Sequence, residues 1–260
     1  MTEQRINFGW RKPPRPVLWL MIALGGLWVF FAISINWLGF GAPLFRQLIG
    51  QSTAVLHGQL WRLVTAPLLH PPQAVWGVLF SVLVLYFFAT PLYENWGARR
   101  LYLFLFGCAA FAFAVESIAH AFLPGITAEV WGGASVMADA ALVAWALSSP
   151  GGHVLFMFVL PLRPMVMVAL VAGIHLMMIM ARVQNELLAP FAAMLAGWCF
   201  SDHSPLRRLY LKLKLKRLQA EVRSMERDRK RRRAAGPKLR VIPGGAERDD
   251  DEPPDTSALH

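Results

Sequence analysis

The sequence predicts an all-α integral membrane protein: a bundle of six transmembrane helices, followed by a basic cytoplasmic helix and a disordered tail. Three observations predict it. The chain is 56% hydrophobic and only 16% charged, with a mean hydropathy of +0.43, which excludes a disordered, collagenous or disulfide-built protein. Only eleven charged residues lie between Val17 and Ser201. Most of them punctuate apolar runs close to the ~20 residues a helix needs to cross a bilayer. Lys and Arg, finally, are sorted by loop. The net charge of +10 comes mostly from the last sixty residues, so it marks a tail and gives no reason to expect a nucleic-acid partner.

A short segment, residues 1–16, precedes the first run, Val17 to Leu38. That run is too long for a signal-peptide core and no small-residue cleavage site follows it, so it reads as an uncleaved span. A more polar stretch reaches Gln73. The second span is Val75 to Leu92. A tight turn, Tyr93 to Arg100, leads into the third, Leu101 to Leu123. Pro124 to Trp131 is a short loop, and the fourth span runs from Gly133 to Ser149. Pro150-Gly151-Gly152 breaks it. His153 to Leu162 is apolar but too short to cross, and its β-branched and aromatic content predicts a short extended segment. The fifth span is Met165 to Ala181 and the sixth Leu187 to Phe200. Residues 17–203 thus form the membrane domain. Cys108 and Cys199 both lie in apolar runs, so neither a disulfide nor a redox compartment is inferred.

Six spans place both termini on one side. With that topology 23 of the 26 Lys and Arg fall on the terminal side, and only Arg46, Arg62 and Arg182 on the other. By the positive-inside rule the termini are cytoplasmic. No transit peptide is evident, so a bacterial plasma membrane is the expected location. Residues 204–235 form a basic juxtamembrane helix. Leu211, Leu215, Leu218, Val222 and Met225 make a heptad-like stripe among Lys212, Lys214, Lys216, Arg217 and Arg223. Two heptads do not secure a coiled coil, and a helix lying on anionic lipid is the favoured reading. Residues 236–260, rich in Pro, Gly and acidic side chains, are expected to be disordered.

Polar groups inside spans are expensive and become functional candidates. They are Ser81, Glu116, His120, Ser135, Asp139 and His175. Glu116 and His120 share a helix face, as do Ser135 and Asp139. A lone intramembrane serine often bonds back to its own helix, which is the bland reading of Ser135. An Asp139–His175 pair and a Ser135–His175 dyad are both open at this point.

The sequence Gly133-Ala134-Ser135 at the start of a short fourth span resembles the nucleophile site of the rhomboid intramembrane serine proteases. Gly58-Gln59-Leu60-Trp61-Arg62-Leu63-Val64-Thr65, with Leu68-Leu69-His70, resembles the first rhomboid loop and its Trp-Arg pair. Leu85 to Arg100 is similar to the end of the family's second span and the turn after it. Ala189 to Trp198 is similar to the sixth span, with Ala192, Ala193, Ala196 and Gly197 spaced for close packing. The resemblance covers Val17 to Phe200 and implies a rhomboid-like fold. Trp61, Arg62, His70, Gly133, Asp139 and Gly197 are assigned structural parts, His70 as a stabiliser of the outer loop.

The departures bear on function. Active rhomboids pair the serine with a histidine on span six, which takes its proton and returns it to the leaving amine. The matching position here is Pro190, which cannot act as a base. The family's oxyanion-side His and Asn, four apart early in span two, match Gly77 and Ser81. The resemblance therefore implies a pseudoprotease that binds transmembrane segments of client proteins within the bilayer, with no cofactor and no metal. An active serine endopeptidase using Ser135 with an unusual base, His175 being one option, is the first alternative. A small transporter or channel built on the buried ionisable groups is the second.

Overall fold

The computed structural model describes residues 12–149, 154–156, 160–181, 186, 188–201 and 205–234. Residues 1–11 of the N-terminal segment, the expected disordered tail 236–260, and Arg182, His153, His203 and His260 lie outside the described residues. The chain divides into two compact units between Leu211 and Lys212.

The first unit opens with α1 (Arg15–Asn36), followed by three short helices: α2 (Ala42–Leu48), α3 (Ser52–Leu56) and α4 (Arg62–Thr65). The polar stretch before Gln73 is thus largely helical, although its sequence carries no sustained apolar period. Tertiary capping holds it. Arg62 donates from its guanidinium to the carbonyls of Arg46 and Ile49, Trp61 Nε1 donates to Gln47, and the Thr65 hydroxyl donates to Leu48. Four consecutive carbonyls at the end of α2, which have no partners within the helix, are satisfied in this way. A cation among them also suits the negative end of the helix dipole.

Helix α5 (Val75–Phe122) is 48 residues long and covers the second and third sequence runs. The tight turn expected over Tyr93 to Arg100 contracts to Gly97 alone, at φ 74° and ψ 171°. Helical hydrogen bonding continues on both sides, so one glycine with left-handed freedom replaces an eight-residue turn. Helix α6 (Ser135–Ser148) is the core: every residue from Val136 to Ala146 is buried, as expected of a helix that is apolar all round. Helices α7 (Pro164–Met180) and α8 (Ala189–Phe200) follow. A Cβ on Gly197 would lie 2.7 Å from the Ala140 carbonyl oxygen, so α8 and α6 pack backbone to backbone. Among the described residues α1 and α5 are long and apolar enough to cross a membrane, and α6, α7 and α8 are shorter apolar helices.

Two small antiparallel pairs complete this unit. Strand β1 (Gly50–Gln51) pairs with β2 (Val130–Trp131), Gly50 opposite Trp131. Strands β3 (Val154–Phe156) and β4 (Leu160–Leu162) pair where a short extended segment was expected. The Trp131 indole stacks on Phe113 at 4.3 Å and donates to the Ser52 hydroxyl at 2.9 Å. In the second unit, the helix α9 (Pro205–Ala234) continues to Ala234, with Leu215, Leu218, Val222 and Met225 exposed.

Candidate functional site

Ser135 is the first residue of α6, and the three residues before it set its surroundings. Gly133 has φ 115°, a backbone region that glycine tolerates and other residues resist. The chain turns there from β2 into α6. The three preceding N–H groups all have acceptors. Gly132 donates to the Glu186 carboxylate at 3.2 Å, Gly133 to the Ala66 carbonyl at 3.0 Å, and Ala134 to His70 Nε2 at 3.2 Å. Ser135 itself is half-buried. Among the described residues its hydroxyl makes no hydrogen bond, so the back-bonded arrangement is absent too.

His70 comes from the loop ahead of α5 and is 5% exposed. Its Nε2 lies 3.4 Å from the Ser81 hydroxyl, and a Cβ on Gly77 would sit 3.8 Å from its ring. A Cβ on Gly133 would come within 3.2 Å of the same ring. The imidazole therefore lies among Gly77, Ser81, Gly133 and Ala134. Burial lowers its pKa to about 4, so it is neutral at pH 7. Because Nε2 accepts from Ala134, the proton is assigned to Nδ1. Sequence reasoning makes His70 a stabiliser of the outer loop; the structure brings it onto the loop that carries Ser135.

Pro190 is buried in the first turn of α8. A proline at mid-span would bend the helix, but in the first turn its missing N–H has no helical partner to lose. Asp139 lies one turn along α6 from Ser135 and is 6% exposed. Its carboxylate meets His175 Nε2 of α7 at 3.0 Å. That imidazole nitrogen is committed to Asp139, and no Ser135–His175 hydrogen bond exists.

Two carboxylates complete the surroundings. Glu116 of α5 is fully buried and accepts three backbone N–H groups: Ala128 at 3.1 Å on one oxygen, Leu188 at 2.7 Å and Ala189 at 2.8 Å on the other. The last two open α8, so Glu116 is the cap of the helix that carries Pro190. An anion there also suits the positive end of the helix dipole. Glu186 has its pKa pushed up to about 7. Burial is the main cause, the Gly132 N–H opposes it, and the nearby Glu116 and Asp139 carboxylates add to it. Further out, His120 pairs with Glu129 at 2.7 Å, and Glu129 accepts from the Thr53 hydroxyl.

Sequence reasoning singled out Glu116 but missed its capping role, and it missed Glu186 altogether. Glu186 sits in a polar connection and carries no motif. Glu116 had a readable signal: α8 begins after Leu188, an apolar residue that cannot cap, so its first N–H groups need an acceptor from elsewhere. Chemically, the site offers a hydroxyl with no base in hydrogen-bond reach among the described residues. Among the described residues no cluster of His, Cys, Asp and Glu could hold a metal ion.

The rhomboid domain model matches residues 57–203, more than half of the chain and the stretch that contains Arg62, His70, Ser135 and Pro190. The chain belongs to the rhomboid family, whose members are integral to membranes. No curated protein matches it.

Proposed function

We propose that this rhomboid protein is proteolytically inactive and binds transmembrane segments of client proteins without cutting them. The observation that carries the reading is the placement of His70. Its neutral ring occupies the space beside Gly77 and Ser81, the side from which the family's oxyanion donors would project, and it accepts the Ala134 N–H. Among the described residues the Ser135 hydroxyl has no acceptor for its proton, and Pro190 stands where the resemblance places the base. Loss of one oxyanion donor alone typically costs about 2.7–4 kcal/mol in the transition state.

The membrane domain, residues 17–203, crosses six times with both termini cytoplasmic. Support comes from the distribution of Lys and Arg and from the length of α5. At 1.5 Å per residue its 48 residues span about 72 Å, more than twice the ~30 Å hydrocarbon core, and Gly97 provides the break between two crossings. Residues 204–235, basic along α9, rest on anionic lipid.

Asp139–His175 favours one second reading: a carboxylate–imidazole pair one turn from Ser135 is where a rearranged base would come from, giving an active serine endopeptidase. Both readings are tested by reconstituting the protein with a single-span segment that carries a photo-crosslinker. The pseudoprotease reading expects a crosslinked adduct of full-length segment. Adducts containing only a cleaved fragment, with fragment release lost in His175→Ala, would establish the second reading instead.

A further inference from the structure

Away from Ser135, a cavity of about 340 Å³ runs along the second half of α5. Arg100, Leu103, Gly107 and Phe111 follow one another down one face of that helix, and Phe200 at the end of α8 forms the opposite wall. The floor is apolar and the mouth is cationic. Eleven residues separate Arg100 from Phe111, which is about 16 Å of helix. That is about half the ~30 Å hydrocarbon thickness, the depth of one leaflet. Gly107 makes the notch: a Cβ there would meet nothing within 4 Å. Leu103 and Phe200 are both largely exposed along the rim. At the mouth the Arg100 guanidinium stacks on the Trp96 ring at 4.9 Å, and Arg99 is exposed beside it. A tryptophan next to arginine at the end of an apolar run is the pattern of a membrane–water interface. The planar guanidinium fork matches a phosphate.

We propose that this groove is a binding site for one anionic phospholipid, with its phosphate on Arg100 and one acyl chain lying over Gly107 toward Phe111. A transmembrane helix fits less well. Its apolar surface would leave the cationic mouth at Arg100 without an anion, whereas the open space over Gly107, where a Cβ would meet nothing within 4 Å, gives room for an acyl chain. The charge also decides the headgroup, because a zwitterionic lipid would place a cation against two arginines. The site rests on the membrane reading of the chain and is independent of whether Ser135 is catalytic.

The test is native mass spectrometry of the purified full chain given equal phosphatidylglycerol and phosphatidylcholine. The wild type is expected to retain phosphatidylglycerol at least fivefold over phosphatidylcholine. Arg100→Gln is expected to lose that preference, and Gly107→Phe to lose retained lipid of both kinds. A phosphatidylglycerol carrying a diazirine on its acyl chain provides a readout that needs no variant. Its adducts on the wild type are expected between Leu103 and Phe111 and at Phe200. Equal retention of the two lipids, adducts confined to other helices, or displacement of the adduct by a reconstituted single-span segment would overturn the proposal.

Discussion

At the scale of single residues, His70 and Glu186 carry opposite pH dependences within one loop cluster. His70 is held at about 4 against an ordinary 6.5, so the unfolded chain binds its proton first. The folded state then loses stability as pH falls from about 6.5 to about 4, by about 2 kcal/mol between 6.5 and 5. Glu186 is held at about 7 against 4.5, so it is the folded state that keeps the proton. Its contribution falls as pH rises from about 4.5 to about 7. The two trends oppose each other across pH 5 to 6.5. Thermal unfolding in detergent is expected to show a shallow wild-type profile there. Glu186→Gln is expected to lose stability toward acid, and His70→Asn toward neutral pH. Slopes of the same sign in the two variants would contradict the assignment. His70 also bears on attempts to restore catalysis. Pro190→His is expected to give no cleavage. Adding Gly77→His and Ser81→Asn is expected to fail as well while His70 stays, because a Cβ at 77 already makes van der Waals contact with its ring and the Ser81 hydroxyl lies 3.4 Å from its Nε2, so the longer side chains must extend into the imidazole. Turnover by the triple variant with His70 intact, read as substrate cleavage, would show that the imidazole does not occupy that space in solution.

At the scale of elements, the start of α8 and its seam with α6 decide whether the site keeps its shape. Glu116→Ala leaves the N–H groups of Ala128, Leu188 and Ala189 without their acceptor. At about 1–3 kcal/mol for each buried unsatisfied group, a loss on the order of 3 kcal/mol or more is expected. Glu116→Gln keeps a carbonyl oxygen and is expected to lose less; equal melting temperatures for the two variants would argue against a capping role. Gly197→Ala forces a Cβ to within 2.7 Å of the Ala140 carbonyl oxygen unless the helices separate. The expected cost is about 1–3 kcal/mol in the same assay, and an unchanged melting temperature would mean that the seam is looser than the geometry requires. These elements differ in how far they can be read from sequence. The apolar runs of α1 and α5 are plain, because lipid imposes length and hydropathy on them directly. Helix α2 is not, because its last carbonyls are satisfied by Trp61, Arg62 and Thr65 from further along the chain, and a local pattern carries no trace of such partners. The break at Gly97 is legible as a glycine beside charged residues, but its extent is not. One positive φ did what an eight-residue turn was expected to do.

At the scale of the whole molecule, the order of short motifs around Trp61, Ser135 and Gly197 made the family legible, and the rhomboid match over residues 57–203 establishes it. The surroundings of Ser135 were legible only in part. Pro190, Gly77 and Ser81 can be aligned residue by residue. The acceptors that occupy the loop before Ser135 cannot, because they reach it from two separated stretches, Ala66 and His70 from one and Glu186 from the other. The same distance in sequence hides Glu116, some seventy positions from the helix it caps. On the proposed pseudoprotease reading, the N–H groups of Gly132, Gly133 and Ala134 are already engaged and do not stabilise the negative charge of a tetrahedral intermediate. The measurement that tests this most directly is cleavage of a generic single-span rhomboid substrate in proteoliposomes, comparing the wild type with Ser135→Ala. No product above background from either protein is the expected result, whereas product from the wild type that disappears in Ser135→Ala would contradict the account.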